Sequence, residues 1–149
     1  MAISRGAGTE IIRSVMLEDC DSTTFVMIFG VQHHVYTVLS TSIYANAIAT
    51  AGNFVQISVL GYDVIGGTSA QNIIITKQDM QLAQTFVYND KFSFNGHEPT
   101  DFTATLDSIA KQDAIADQAS SVAQKFQGVT EAAGDSFEIV CTYIDQNNA

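Results

Sequence analysis

The amino-acid sequence predicts an all-β fold, a single antiparallel β-sandwich of the jelly-roll type with one short helix on a connection. Seven short segments are rich in β-branched and aromatic residues, and most are bounded by Gly, Asn, Asp or Ser. Only one segment has a helical pattern, and 149 residues suit one domain. The strand-like segments are Ile11–Leu17, Thr23–Val31, Val35–Asn46, Phe54–Tyr62, Asn72–Gln78, Gln84–Phe94 and Phe137–Ile144.

The chain begins with a small, polar, Gly-bearing stretch, and residues 1–10 are predicted to form an N-terminal arm. The β-sandwich domain is predicted to span residues 11–149. The acidic cluster Glu18, Asp19 and Asp21 closes the first strand as a solvated turn, because it lacks the ligand spacing and Gly turn of a calcium loop.

The next two strands flank the segment Gln32–His34. Neighbouring residues of a strand point to opposite faces, so His33 and His34 are not expected to share a metal ion, and His97 is distant in sequence. No metal site or cofactor is therefore predicted. In the strand that follows, every second residue from Val35 to Ile43 is expected to face the core. Every second residue from Tyr36 to Tyr44 is expected to lie on the opposite, half-covered face.

Later strands show two kinds of pattern. Phe54–Tyr62 alternates, with Val55, Ile57 and Val59 on one face. The run Ile73–Ile75 is typical of a strand buried on both faces, and Asn89-Asp90 indicates a tight hairpin. The expected core residues are Val38, Leu39, Ile43, Val55, Ile57, Val59, Ile74, Phe86, Phe92, Ile139 and Cys141.

A helix is predicted near Asp107–Gln118, with Asp107 as its N-cap, followed by a strand. Because Ser120–Phe126 alternates like a strand but Ile115–Phe126 also has helical spacing, the boundary between helix and strand within Asp107–Phe126 stays open.

Composition limits the classes of function. Charged residues make up only 15% of the chain, below the usual share of about 25%. This favours burial of much of the surface in an oligomer or lattice, the alternative being a small protein whose surface uses neutral polar residues. The net charge of −10 and six scattered basic residues argue against nucleic-acid binding. No signal peptide or membrane-spanning stretch is predicted, so the chain is expected to be made in the cytoplasm with Cys20 and Cys141 as free thiols.

The sequence contains no recognisable catalytic motif. No serine lies in a Gly-x-Ser-x-Gly elbow, and Gly6-Ala7-Gly8 is too short and too early for a phosphate-binding loop. We therefore predict that the protein is not an enzyme.

Several segments resemble a known class of protein. They are Val35–Leu39, Phe54–Tyr62, Ile73–Ile75, Phe86–Phe94, Ala133–Ile139, Arg5–Arg13 and Cys141–Asn148. In their order and turn pattern these segments resemble the small β-sandwich structural proteins of tailed bacteriophage particles. The two terminal segments look like virion proteins of marine, particularly cyanobacterial, phages.

The resemblance implies a non-enzymatic virion protein, and the acidic, single-domain chain favours a decoration or cement protein on the outer head. The alternatives are a neck, tail or baseplate component, and a host-receptor or glycan-binding module. The expected partners are copies of the chain, as a trimer or ring, and other virion proteins such as the major capsid protein. The candidate assembly residues of the arm are Ala2, Ile3, Arg5, Ile11 and Ile12, and the candidate surface contacts are Tyr36, Tyr44, Tyr62 and Tyr88.

Overall fold

The computed structural model describes residues 6–21, 24–62, 70–99, 107–117 and 121–148. The elements follow in chain order: β1 Thr9–Cys20, β2 Phe25–Phe29, β3 His34–Ala47, β4 Phe54–Tyr62, β5 Ala70–Asp79, β6 Thr85–Tyr88, β7 Phe92–Asn95, β8 His97–Pro99, α1 Ile109–Asp117, β9 Ser121–Ala123, β10 Lys125–Thr130 and β11 Ser136–Asn147. The predicted all-β class with one short helix is confirmed.

The strands form two main antiparallel sheets. Sheet A has the order β1-β11-β3-β6, with β7 also paired to β3, and sheet B has the order β2-β10-β4-β5. β1 pairs with β11, β2 with β10, β3 with β6 and β7, and β4 with β5. The chain is therefore arranged like one long antiparallel hairpin whose two arms curl together. This is the jelly-roll topology, in which the buried faces of two sheets form the core.

Strands β6 and β7 do not form the predicted hairpin. Both pair antiparallel with β3: Phe86 lies opposite Ile43, and Phe94 lies opposite Tyr36. They are therefore two collinear pieces of one edge strand, interrupted at residues 89–91. The Asn89-Asp90 signal marks a break in the strand because β3, fourteen residues long, is the better partner for both pieces.

A β-bulge in β3 corrects the predicted core face. Thr142 pairs with Ser40 and Tyr143 pairs with Val38, so Leu39 is an extra residue without a partner on β11. The inward side of β3 therefore changes from Tyr36 and Val38 to Thr41, Ile43 and Ala45, which are all buried. The expected core face holds only from residue 41 onward, because regular alternation cannot show where a bulge lies.

Strand β11 is the centre of the core. Its inward residues alternate without interruption from Phe137 through Ile139, Cys141 and Tyr143 to Asp145. It contacts β1 on one side and β3 on the other along nearly its whole length. Of the expected core residues, Val38, Ile43, Val55, Ile57, Ile139 and Cys141 are at most 1% exposed.

The Ile73–Ile75 run is on an edge, which corrects the prediction of a strand buried on both faces. β5 pairs only with β4 in the described part of the chain, and Ile73 and Ile74 are 62% and 53% exposed. A continuous apolar run is compatible with an edge strand as well as a central one, because only long-range pairing decides which it becomes.

Three segments meet closely at one end of the sandwich. The backbone N–H of Gln124 donates to the carbonyl of Gly96 at 2.9 Å, and the carbonyl of Gln124 accepts from the N–H of Gly30 at 2.8 Å. A Cβ on Gly96 would lie 2.1 Å from the carbonyl oxygen of Val31, and one on Gly30 would lie 2.0 Å from that of Gly96. Glycine is therefore required at both positions for the backbones to approach.

The N-cap of helix α1 is Ser108, one residue later than the predicted cap Asp107. The Oγ of Ser108 accepts from the N–H of Lys111 at 3.3 Å, which is the N-cap geometry expected of Asp107. The carboxylate of Asp107 instead binds the Nζ of Lys111 at 2.7 Å. In the described residues, no helix has the length and apolar character to cross a membrane.

Candidate assembly surface

The candidate residues of the arm fall in two regions. Ala2, Ile3 and Arg5 lie outside the described residues, whereas Ile11 and Ile12 are in β1 and are 37% and 71% exposed. β1 begins at Thr9, two residues before the predicted strand, and Glu10 pairs with Gln146. Residues 9 and 10 therefore belong to sheet A.

The four candidate tyrosines do not share one environment. Tyr36 is 2% exposed, and its ring stacks on Phe94 with centroids 5.4 Å apart, so the prediction that it is a surface contact is wrong. Its hydroxyl accepts from the backbone N–H of Val31 at 3.1 Å. Tyr44 is 37% exposed, Tyr88 is half-buried, and the side chain of Tyr62 lies outside the described residues.

The outer face of sheet A exposes several large apolar side chains. Because β11 is inward at its odd positions, its even positions and their partners point outward. Three successive rows of these outward residues contain no charged side chain, and we call them the uncharged face. They are Met16, Val140, Ser42 and Val87; then Ser14, Thr142 and Ser40; then Ile12, Ile144, Thr37 and Ser93.

The uncharged face combines apolar and hydroxyl groups. Ile12 and Met16 are more than 70% exposed, and Val87 is 53% exposed. Between the apolar positions, the hydroxyls of Ser14 and Thr142 lie 3.0 Å apart within hydrogen-bonding distance, which ties β1 to β11. A second hydroxyl pair, Thr37 and Ser93 at 2.9 Å, ties β3 to β7. These cross-strand bonds hold the side chains in fixed positions.

Charge returns at the ends of the face. The next row along the strands after Val140 and Ser42 contains Glu138, which pairs with Tyr44. On β1, Glu18 lies two residues after Met16. Around these residues lies an open depression of about 160 Å³, whose lining includes Glu18, Tyr44, Glu138 and Val140. Glu10 occupies the opposite end of β1.

The edge of sheet B is a second exposed surface. The exposed Ile73 and Ile74 lie on β5, a strand of ten residues. An edge strand offers unpaired backbone groups to another strand, and charges on the edge oppose such pairing. Lys77 is such a charge, although its Nζ lies 4.0 Å from the centre of the Phe54 ring, within cation–π distance.

Burial shifts the pKa of several titratable groups in the described part of the chain. Burial raises the pKa of both the Cys20 and Cys141 thiols to about 11, so neither is a thiolate near neutral pH. Both thiols are free. Burial, together with the nearby charge of Asp145, raises the pKa of Tyr36 to about 12. Burial lowers the pKa of His97, whose Nδ1 lies 3.0 Å from the Oγ of Ser121.

The histidines of the β2–β3 turn do not assemble a metal site. His34 places its Nδ1 2.7 Å from Oδ1 of the buried Asp145, an interaction that anchors the start of β3 to the end of β11. Within the described ranges, no group of three or more His, Cys, Asp or Glu side chains could hold a metal ion.

Comparison with known proteins found structural similarity at low sequence identity. A chain from Bacillus endospore appendages, a family of disulfide-linked pili, is 12% identical with a TM-score of 0.35, covering 100% of this chain and 97% of that chain. A chain of the T13 IBDV viral particle is 6% identical with a TM-score of 0.41, covering 99% of this chain and 37% of that chain.

A third structure, infectious bursal disease virus of the Gx strain, gives 5% identity and a TM-score of 0.40, covering 98% of this chain and 39% of that chain. The protein thus spans about two fifths of the length of these two viral chains. At these TM-scores the similarities carry no inference about function. No protein-family model and no curated protein matches the sequence.

Proposed function

We propose that this protein is a non-enzymatic structural protein of a virion that assembles with copies of itself and with other virion proteins. The uncharged face carries the proposal. Apolar patches of this kind on a rigid sheet mark interaction sites, and interfaces are depleted in charge as this chain is. The jelly roll is a fold that viral capsid domains use, although lectins and cupins use it as well.

The location we propose is the outer head of a tailed bacteriophage, where the chain would act as a decoration or cement protein. Its net charge of −10 supports an exterior position, because negative charge would be repelled by packaged nucleic acid. A neck, tail or baseplate component is the alternative within this class, and the exposed edge of β5 would suit the closed ring that such a component forms.

Quantitative mass spectrometry of purified particles tests this proposal. A decoration protein should be present in numbers comparable to the major capsid protein, whereas a neck or baseplate protein should be present only in the number that one ring requires. Absence of the protein from purified particles would overturn the virion assignment.

The N-terminal arm is a second proposed element of assembly. The part of the arm that precedes β1, residues 1–8, contains Arg5 and no acidic residue, while the remainder of the chain is strongly acidic, so this part of one copy and the body of another are complementary in charge. We propose that Ala2, Ile3 and Arg5 contact a neighbouring subunit, and that the flanking Ile11 and Ile12 extend this contact in a trimer or ring.

Removing residues 1–5, which leaves β1 complete, should preserve the fold and reduce incorporation into particles. Unchanged incorporation would show that the arm is dispensable.

Glycan recognition is the alternative from another class. The depression beside Tyr44 favours it specifically, because an exposed aromatic ring next to the carboxylates of Glu18 and Glu138 offers stacking and hydrogen-bond acceptors for a sugar. A glycan array with the wild type and Tyr44→Ala separates the two functions. Binding that is lost in the variant would favour a receptor-binding module.

A further inference from the structure

The apolar side chains of the uncharged face are exposed to solvent in the single chain. Ile12 and Met16 are 71% and 73% exposed in the single chain, and Val87 is 53% exposed. No described segment of the same chain packs over them. The charge of the molecule then decides which class of partner fits.

A basic partner would be attracted to the carboxylates of this chain, and none lies in the three rows of the uncharged face. A basic partner is therefore not favoured on this face. A second copy carries the same net charge of −10, so it would be repelled by most of the surface. On the uncharged face, two copies can meet with Asp90 and Lys91, at the break between β6 and β7, as the only charged residues beside the central row. We infer that this face is the contact between two copies of the chain, packed sheet on sheet across a two-fold axis; Ile12 then belongs to this contact, and the arm contact of the trimer or ring depends on residues 1–5 and Ile11. The inference rests on the proposed self-assembly, but it does not depend on the particle in which the protein is found.

The order of the rows makes the face complementary to itself. A central row of hydroxyls, Ser14, Thr142 and Ser40, lies between two rows that contain the exposed apolar residues. A two-fold axis that lies in the contact plane, along or across the strands at the middle of the face, places the central row of one copy on that of the other. Hydroxyl groups both donate and accept, so a row of them can pair with an identical row. On either side, the apolar rows meet each other.

The size of the face sets the strength of the contact. The two outer rows span four strands and the central row spans three, so the face covers at most about 20 Å by 20 Å, from the usual strand spacing and residue rise, or about 800 Å² for both copies. Specific stable complexes bury about 1,200–2,000 Å². We therefore expect a dimer that forms with rising protein concentration and that is favoured where a particle holds many copies close together.

Matched substitutions on the two exposed edges test the assignment. Ile12→Glu and Met16→Glu each place two like charges in a two-fold contact. Ile73→Glu is the control, because Ile73 is 62% exposed on the edge of the other sheet. Sedimentation velocity of the purified proteins should show dimerisation of the wild type and of the control. The dissociation constant of the two face variants should rise about tenfold or more. Far-UV circular dichroism and thermal melting verify that all variants remain folded.

A cysteine cross-link tests the symmetry. Thr142 is on the central row next to the expected axis, so Thr142→Cys should form an intermolecular disulfide on mild oxidation. The native thiols are buried and should not compete. Gln71→Cys, on exposed β5, is the control and should cross-link poorly.

Three results would overturn the inference: a wild type that stays monomeric at high concentration, loss of dimerisation only in Ile73→Glu, or preferential cross-linking of Gln71→Cys. Each of these concerns the purified protein, so each is distinct from absence of the protein from particles.

Discussion

The side-chain amide of Asn53 donates to both carboxylate oxygens of Asp135, at 3.1 and 3.2 Å, across 82 positions of sequence. The same carboxylate accepts from the backbone N–H of Ala49 at 2.8 Å and from that of Ala132 at 3.1 Å. Asp135 is 2% exposed. One buried charge thus joins the β3–β4 connection to the β10–β11 turn and satisfies donors from both.

We predict that Asp135→Ala lowers the free energy of unfolding by about 2–4 kcal/mol. The substitution leaves the buried amide of Asn53 and two backbone N–H groups without their acceptor. Urea denaturation followed by circular dichroism measures the change. Asp90→Ala, on the exposed break between β6 and β7, is the matched control and should change stability by less than about 0.5 kcal/mol. Equal effects of the two variants would contradict a structural role for Asp135.

We predict that Gly96→Ala destabilises the fold by about 1–3 kcal/mol, because the new Cβ must displace the backbone of Val31. Gly6→Ala is the control, since the nearest atom to its Cβ would be 3.9 Å away. Thermal melting of the two variants gives the comparison. If Gly96→Ala melts like Gly6→Ala, the close approach of the three segments does not limit stability.

We predict that His97 makes the protein less stable as the pH falls. Burial lowers the pKa of His97 in the folded state, while the unfolded chain has a pKa near 6.5. The unfolded state therefore binds the proton more tightly, so stability decreases as the pH drops below about 6.5 and the loss is complete below the folded-state pKa. In His97→Gln, which retains a partner for Ser121, this component should be absent. Urea denaturation at several pH values should give curves for wild type and variant that diverge in this window, and parallel curves would refute the prediction.

We predict that neither cysteine reacts with a thiol reagent in the folded protein at mildly alkaline pH. Cys20 and Cys141 are 5% and 0% exposed, and burial raises the pKa of each thiol to about 11. Both should react rapidly in concentrated guanidinium chloride, where the same reagent serves as the positive control. Fast labelling of a native thiol would show that sheet A opens locally at β1 or β11.

The sequence alone determined the class of fold and most of its elements. Alternation in Phe54–Tyr62 predicted Val55 and Ile57 as core residues, and both are buried. The ends of the predicted helix Asp107–Gln118 lie within two residues of the ends of α1. These features depend on neighbours in sequence, because a strand or helix shows its buried side through its own periodicity. The unusually low charge likewise pointed to assembly, although it could not identify the surface.

The tertiary structure decided which strands are edges and where alternation is interrupted. The bulge at Leu39 reverses the inward face of β3, and the pairing of both β6 and β7 with β3 replaces the expected hairpin. Ile73 and Ile74 are exposed because β5 ends a sheet, and Tyr36 is buried because the bulge turns it inward. The uncharged face follows from the same cause: Ile12, Val140 and Ser42 are far apart in sequence, and only the pairing of β1, β11 and β3 brings them onto one surface.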